Sequence, residues 1–304
     1  MVSKRIVFAA DIGGSKLLCG FVKADGTIID TEKTELQKNI TPNMLEEYIE
    51  KSYKKLCARN TAILPVACGV TIPGVADAKN GKWVYACFSG ISDYPISDRL
   101  KNLLKIPIYI ENDANANAWG EKVFGSCKDT DDFLWLTVSN GVGGGLVLGG
   151  RLYVGQCFGA GELGHLVVED QAPLLCPCGH YGCLEAMAGA PAICEAAGVS
   201  KISEINTADE EQMARLGVIC RYISAGINNI INMINPEAVV LGGEITALGE
   251  PFLRKLRDEL SNIMFAANTE RFSLRFSEVS GNPVTLGAGR YLLDRIFEDG
   301  DFIM

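Results

Sequence analysis

The sequence has little to offer a polyanion. Its 28 Lys and Arg are outnumbered by 37 Asp and Glu, for a net charge of −9, and no basic run breaks that balance. A nucleic-acid partner is therefore not expected. No apolar run approaches the roughly 18 residues of a membrane span. The opening MVSKRIVFAADIGG enters a strand directly and has no secretory leader pattern. No low-complexity segment or long linker interrupts the chain. Histidine is scarce, with only His165 and His180 in 304 residues. Cysteine is not scarce, but its count of 11 is odd and most copies stand singly in apolar segments (Cys19, Cys57, Cys68, Cys87, Cys220). That pattern suits free thiols in a reducing cytoplasm. What is present is an apolar fraction of 48%, enough for one large domain or two ordinary ones.

Both histidines fall in one stretch, residues 161–185, GELGHLVVEDQAPLLCPCGHYGCLE. Cys176, Cys178 and Cys183 read C-x-C-x4-C, and His165 precedes the first of them by eleven residues. Three thiolates and an imidazole make a closed tetrahedral zinc site of the structural kind. Gly179 and Gly182 allow the tight turns that bring such close cysteines together. His180 is a rival ligand, but its place two residues after Cys178 makes simultaneous ligation awkward. Glu162 and Glu185 bracket the cluster. Zinc then acts as a clamp, and Glu162, His165 and Glu185 face one small polar ligand. The alternative is a set of free cysteines acting as small buried hydrophobes.

Residues 5–10 form a compact apolar run ending at Asp11, which predicts a buried strand. A second run, 17–22, follows Gly13-Gly14, and a turn signal at 24–26 leads to a strand at 27–31. The Gly13-Gly14 bend is either a backbone nest for phosphate oxygens or an ordinary hairpin, and Asp11 is placed to hold magnesium through water. Helical spacing covers 42–59. Residues 63–70 read as a buried strand running into Pro73-Gly74, at the strand end where α/β sheets place ligands. Residues 82–85 read as a short strand, 86–96 as an irregular segment that lines a ligand cleft or is a plain surface loop, 97–104 as a helix and 106–110 as a strand. Asn112 or Asp113 can cap the helix at 114–123, leaving Asp113 open to a second role as general base.

Strands at 133–138 and 145–148 flank Ser139-Asn140-Gly141-Val142-Gly143-Gly144. This repeats the strand, glycine turn, strand order of the first hairpin. Two such hairpins facing each other would grip one nucleotide's phosphates from both sides, and neither would need the metal. A short strand follows Arg151. Helices are expected at 186–197, at 215–234 (stopped by Asn235-Pro236) and at 248–265. Strands are expected at 238–241 and 273–276, and a last helix at 286–297. Gly242-Gly243-Glu244 is a third glycine turn, suited to close approach of a nucleoside. Gly287 and Gly289 would admit a flat base.

Taken in order, these residues resemble the ROK family of sugar kinases and repressors. DIGGSK is similar to the family's first phosphate motif, which adds Ser15 and Lys16. ENDANANAWGE is similar to its catalytic segment and SNGVGGG to its second phosphate motif. GELGH with CPCGHYGCLE resembles its zinc signature, and LGGE and LGAG its adenosine-side turns. The resemblance implies an α/β chain of the actin-like (ribonuclease H-like) ATPase fold, with two α/β domains around a cleft. Domain boundaries are expected at 1–113, completed by the C-terminal helix 288–304, and at 114–287. It implies Asp113 as catalytic base, and Asn112, Glu162, His165 and Glu185 as sugar ligands. It implies ATP contacts at Asp11, Gly13, Gly14, Ser15, Lys16, Asn140, Gly141, Gly143, Gly144, Gly242, Gly243 and Gly287. Zinc would sit on His165, Cys176, Cys178 and Cys183, and magnesium would accompany ATP. The expected partners are a hexose, ATP and a second copy in a homodimer. Glucose is the first expectation; N-acetylmannosamine, N-acetylglucosamine, fructose, allose and mannose are alternatives. A non-catalytic regulatory protein is the alternative of another class. The chain departs from the family with Ser15 for Thr, Ser139-Asn140 for Gly-Thr, Glu244 for Gly, and a FSGISDYPI loop lacking Trp.

Overall fold

The computed structural model describes residues 6–23, 25–37, 40–86, 90–265 and 272–278. Gly287, Gly289, the helix expected at 286–297 and the completing segment 288–304 lie outside them. The described residues divide into two compact units. One runs to Phe124 and takes Gly155–Gly159; the other takes the described parts of Gly125–Val154 and Ala160–Ser280.

The first unit is built on a five-stranded sheet. Its strands are β1 (Ile6–Ile12), β2 (Lys16–Lys23), β3 (Ile28–Glu35), β4 (Cys68–Ile72) and β8 (Ile108–Asn112), in the order β3-β2-β1-β4-β8. β1 to β3 pair antiparallel, and β1, β4 and β8 run parallel. The interior strand β4, CGVTI, is buried at every position, as a strand covered on both faces must be. The edge strand β3 carries charges that discourage further pairing. Helix α1 (Pro42–Arg59) starts where Thr41 accepts a hydrogen bond from the Met44 N–H and Pro42 presets the first turn. Leu45, Ile49 and Leu56 of α1 join Phe8, Phe21, Val70 and Ile110 in one apolar core.

Between β4 and β8 the chain inserts a three-stranded antiparallel sheet and a helix. The sheet holds β5 (Val75–Asp77), β6 (Lys82–Ala86) and β7 (Ile91–Tyr94), and α2 is Ile96–Leu104. The segment expected to be irregular therefore contributes a strand, with Trp83 opposite Tyr94 and Tyr85 opposite Ser92. Residues 87–89 lie outside the described set. β4 itself starts later than its apolar run suggests, because Pro65 has no N–H to give a ladder. Helix α3 (Asp113–Val123) follows β8 directly.

The second unit repeats the plan. β9 (Phe133–Val138), β10 (Val142–Leu148), β11 (Arg151–Tyr153), β12 (Ala238–Gly242) and β13 (Ser273–Phe276) take the order β11-β10-β9-β12-β13, with β9, β12 and β13 parallel. The helix expected at 186–197 is two, α4 (Leu184–Ala188) and α5 (Ala190–Ala197). They break at Gly189, which is extended and followed by Pro191. The helix expected at 215–234 is α7 (Gly217–Ile234), preceded by a short helix α6 (Glu210–Arg215), and α7 ends on left-handed Asn235 before Pro236. α8 (Gly249–Ser261) is shorter than expected. Ile223, Ile227, Val239, Leu241 and Phe252 lie in this unit's core. Among the described residues, no helix is long and apolar enough to cross a membrane.

Candidate active site

In the first unit, three parallel strands carry the candidate residues at or just beyond their carboxyl ends. Asp11, near the end of β1, is 7% exposed, and its Oδ1 accepts a hydrogen bond from the hydroxyl of fully buried Thr71 at 2.7 Å. The two residues pair across β1 and β4, so sheet register sets this contact. Burial raises the Asp11 carboxyl to about 6, against opposing pulls from Thr71 and Lys16. The turn after it closes tightly, the Gly13 N–H donating to Lys16 O at 2.8 Å. A side chain at Gly14 would meet nothing within 4 Å, so this turn has an open side.

At the end of β8 the two capping candidates separate. Asn112 Oδ1 accepts from the Asn115 N–H at 3.0 Å and is the cap of α3. Its Nδ2 donates to Gly74 O at 2.8 Å. Asp113 is the first residue of the helix, half-buried, with Oδ1 accepting its neighbour Ala114's N–H at 2.8 Å. A carboxylate there is favoured by the helix dipole. The buried Glu111 was not singled out by its sequence pattern. Its Oε1 accepts from the Asn112 N–H at 2.8 Å and from Asn115 Nδ2 at 3.1 Å, which braces the cap from behind.

In the second unit, the ligand atoms of His165, Cys176, Cys178 and Cys183 all lie within 4.8 Å of one another. Cys178 and Cys183 Sγ are 3.7 Å apart, as are Cys176 Sγ and His165 Nδ1. A tetrahedral zinc with bonds of about 2.3 Å to sulfur separates its ligands by roughly 3.8 Å. The donor set and spacing thus fit such an ion. The exposed His180 stands outside this group, 3.6 Å from Cys178. Gly182 makes the loop possible: its φ is +72°, and a Cβ would lie 1.8 Å from Glu169 O. Burial pushes the Cys176 thiol up to about 12. Burial also pushes Cys178 up, but hydrogen bonds with His180, Cys176 and Cys183 outweigh it and bring that thiol down to about 6.

The loop also gathers both flanking carboxylates. His165 turns Nδ1 to Cys176 and Nε2 towards Glu162, 3.9 Å from its Oε2. Burial raises the Glu162 carboxyl, with His165 opposing and Glu185 adding to the rise. Glu185, in the first turn of α4, comes within 4.0 Å of Cys176 Sγ through Oε1. Its Oε2 accepts the Val142 N–H at 3.0 Å.

That last contact overturns the expected independence of the glycine hairpin from the cysteine loop. A Cβ on Gly141 would lie 2.4 Å from Glu185 Oε2, one on Gly144 2.7 Å from Leu163 Cδ1, and one on Gly164 2.0 Å from Val142 O. The β9–β10 glycines admit the loop itself. Gly242 and Gly243 also have packing reasons. A Cβ on the first would lie 2.2 Å from Trp135 Cζ2, and one on the second 2.6 Å from the hydroxyls of Ser139 and Thr137. Ser139 Oγ accepts the Glu244 N–H at 3.0 Å, which joins the second and third glycine turns. Nothing in the sequence pattern signalled that link. Asn140, between them in the β9–β10 turn, is exposed.

The family model described as ROK family matches residues 7–293. The xylose repressor of Bacillus subtilis is 28% identical over 90% of this chain and 73% of its own length. The glucokinase of Halalkalibacterium halodurans is 27% identical over 95% of both chains. The solved ROK glucokinase of Streptomyces griseus, in complex with glucose and AMPPNP, superposes with a TM-score of 0.80. It is 25% identical and aligns over 94% of this chain and 98% of its own.

Proposed function

We propose, from the premise that this chain belongs to the ROK family and has its actin-like ATPase fold, that it transfers the γ-phosphoryl group of ATP to a primary hydroxyl of a hexose, glucose first. The observation that carries this reading is the division of labour at the end of β8. Asn112 takes the helix cap, and Asp113 stands as the first residue of α3, a rigid element that would hold its carboxylate as a general base for a hydroxyl proton. Phosphoryl transfer asks for positioning and charge stabilisation more than covalent work. Asp113 is the general base. Asn112, Glu162, His165 and Glu185 read the neighbouring hydroxyls, two carboxylates accepting and an amide and an imidazole able to donate.

Asp11, with the Gly13, Gly14, Ser15 and Lys16 turn, serves the phosphates, and the open side of Gly14 leaves room for them. Magnesium bound near Asp11 would neutralise charge on the phosphate oxygens. Asn140, Gly141, Gly143 and Gly144 provide the second turn and Gly242 and Gly243 the nucleoside-side turn, where the same glycines also let neighbouring elements pack closely. His165, Cys176, Cys178 and Cys183 would hold zinc, which would fix the loop and one nitrogen of the His165 ring, leaving the other for the ligand.

The likeness to the xylose repressor supports a second reading, a sugar-binding regulator without turnover. A coupled ADP-release assay over glucose, N-acetylmannosamine, N-acetylglucosamine, fructose, allose, mannose and xylose, paired with calorimetry, separates the two. Turnover on at least one hexose is expected. Binding of a sugar with no ADP released for any would overturn the kinase reading in favour of the regulator.

A further inference from the structure

Glu46 is a buried carboxylate on α1 that the proposed reaction does not use. Both its oxygens are engaged. The Tyr94 hydroxyl donates to Oε1, Arg99 Nε donates to Oε1 at 2.9 Å, and Arg99 Nη2 donates to Oε2 at 3.0 Å and to Asn43 Oδ1 at 3.1 Å. Removing a carboxylate from water is costly, and a well-packed apolar cluster often serves stability as well. The arrangement therefore asks for a reason beyond stability.

Its partners point to one. Tyr94 ends β7 and pairs with Trp83 on β6. Trp83 is 1% exposed, and its Nε1–H donates to Pro73 O at 2.9 Å. The next residue is Gly74, whose carbonyl accepts from Asn112 Nδ2. Gly74 has φ +84°, and a Cβ there would lie 2.3 Å from Tyr85 O, so the turn cannot move without β6. The Asn112 amide, with Oδ1 committed to the cap, keeps one N–H and one lone pair for a ligand. The direction of both is set by the Gly74 carbonyl.

We propose that Glu46 is a positioning residue for sugar recognition: through Tyr94 and Arg99 it holds the β5–β6–β7 sheet so that Gly74 aims the Asn112 amide at a sugar hydroxyl. This rests on the reading of Asn112 as a sugar ligand. Contiguity does not by itself demonstrate coupling, so the test is a double-mutant cycle. Hexose Kd by calorimetry, and KM, kcat and ATP KM by turnover, are measured for the parent, Tyr94→Phe, Glu46→Gln, Asn112→Ser and Tyr94→Phe/Asn112→Ser. The Ser variant retains a capping oxygen but loses the donor to Gly74.

Tyr94→Phe and Glu46→Gln should each weaken hexose binding on the order of tenfold, as small misplacements of a binding group do, with kcat and ATP KM changed by less than about twofold. Tyr94→Phe should add nothing in the Asn112→Ser background. Additive losses, equal losses for sugar and ATP, or unchanged sugar affinity in a folded Tyr94→Phe would each overturn the proposal. Tyr94→Phe removes a single hydroxyl, so it decides the matter even if Glu46→Gln does not fold. If the parent binds a hexose without phosphorylating it, the kinase reading fails while the Kd series still tests this one. If the parent binds no hexose, both fall.

Discussion

The two units share one sheet plan, two antiparallel pairs and two parallel ones in the same order, yet spend their glycines differently. In the first hairpin, β1 carries buried Asp11 one residue before its end and the turn has an open flank at Gly14. In the second, β9 is followed by the neutral Ser139, and a Cβ on Gly141 or Gly144 would meet Glu185 or Leu163 of the cysteine loop. The third parallel strand differs in the same sense. β8 delivers Glu111-Asn112-Asp113, whereas β13 ends at Phe276 beside Ser277. The insertions sit in different crossings, the three-stranded sheet between β4 and β8 and the cysteine loop between β11 and β12. Matching scaffolds thus carry carboxylates at strand ends in one unit and on the cysteine loop in the other. The hairpins share their topology, and the packing around their glycines differs.

The sharpest way to break this contrast is Asp113→Asn. If the first unit supplies the base, turnover should fall on the order of 10²–10⁴-fold while sugar binding largely survives. More than about a tenth of the parent rate would remove Asp113 from that role. Chelation probes the other half. Protein purified without chelator should carry about one zinc per chain, as a closed four-ligand site requires. Stripping it should weaken sugar binding by ~10–100-fold or more. Because Glu185 also holds the Val142 N–H, an ATP analogue should lose affinity too, though by less. Calorimetry of each ligand, with circular dichroism as the folding control, reads the order. An unchanged sugar affinity would make the loop a surface staple.

Paired glycine substitutions sharpen the comparison further. Gly141→Ala should destabilise the fold by roughly 1–3 kcal/mol through overpacking against Glu185, seen in urea melts. Gly14→Ala should leave stability within about 0.5 kcal/mol and raise the KM for ATP. Equal melts would dissolve the distinction between filled and open turns.

A pH-dependent effect concerns Asp11. Its folded-state carboxyl is raised from 3.8 to about 6, so the folded state holds its proton where the unfolded state has lost it. Stability from this group is full below 3.8 and declines as pH rises to about 6. Asp11→Asn should therefore melt higher than the parent at pH 7.5, by an amount on the order of 1–3 kcal/mol, with the gain fading below pH 4. A lower melting point at pH 7.5 would mean that burial is not the dominant influence on Asp11.

Patterns local in the chain were legible from residues alone. Apolar runs marked β1, β9 and β12, periodicity marked α1, and the C-x-C-x4-C spacing marked the loop whose four ligand atoms converge. Each is decided by residues within a turn or two of one another, or by donor chemistry with few alternatives. Assigning Asn112 rather than Asp113 to the cap was beyond the sequence, because both residues suit the position. Strand pairing and the Gly74 carbonyl chose between them. The sequence likewise showed two glycine turns of one kind, since glycine says only that a side chain would not fit. Whether the excluded volume belongs to a ligand or to Glu185, Leu163 and Trp135 depends on contacts between residues far apart in the chain. Only the tertiary structure brings those residues together.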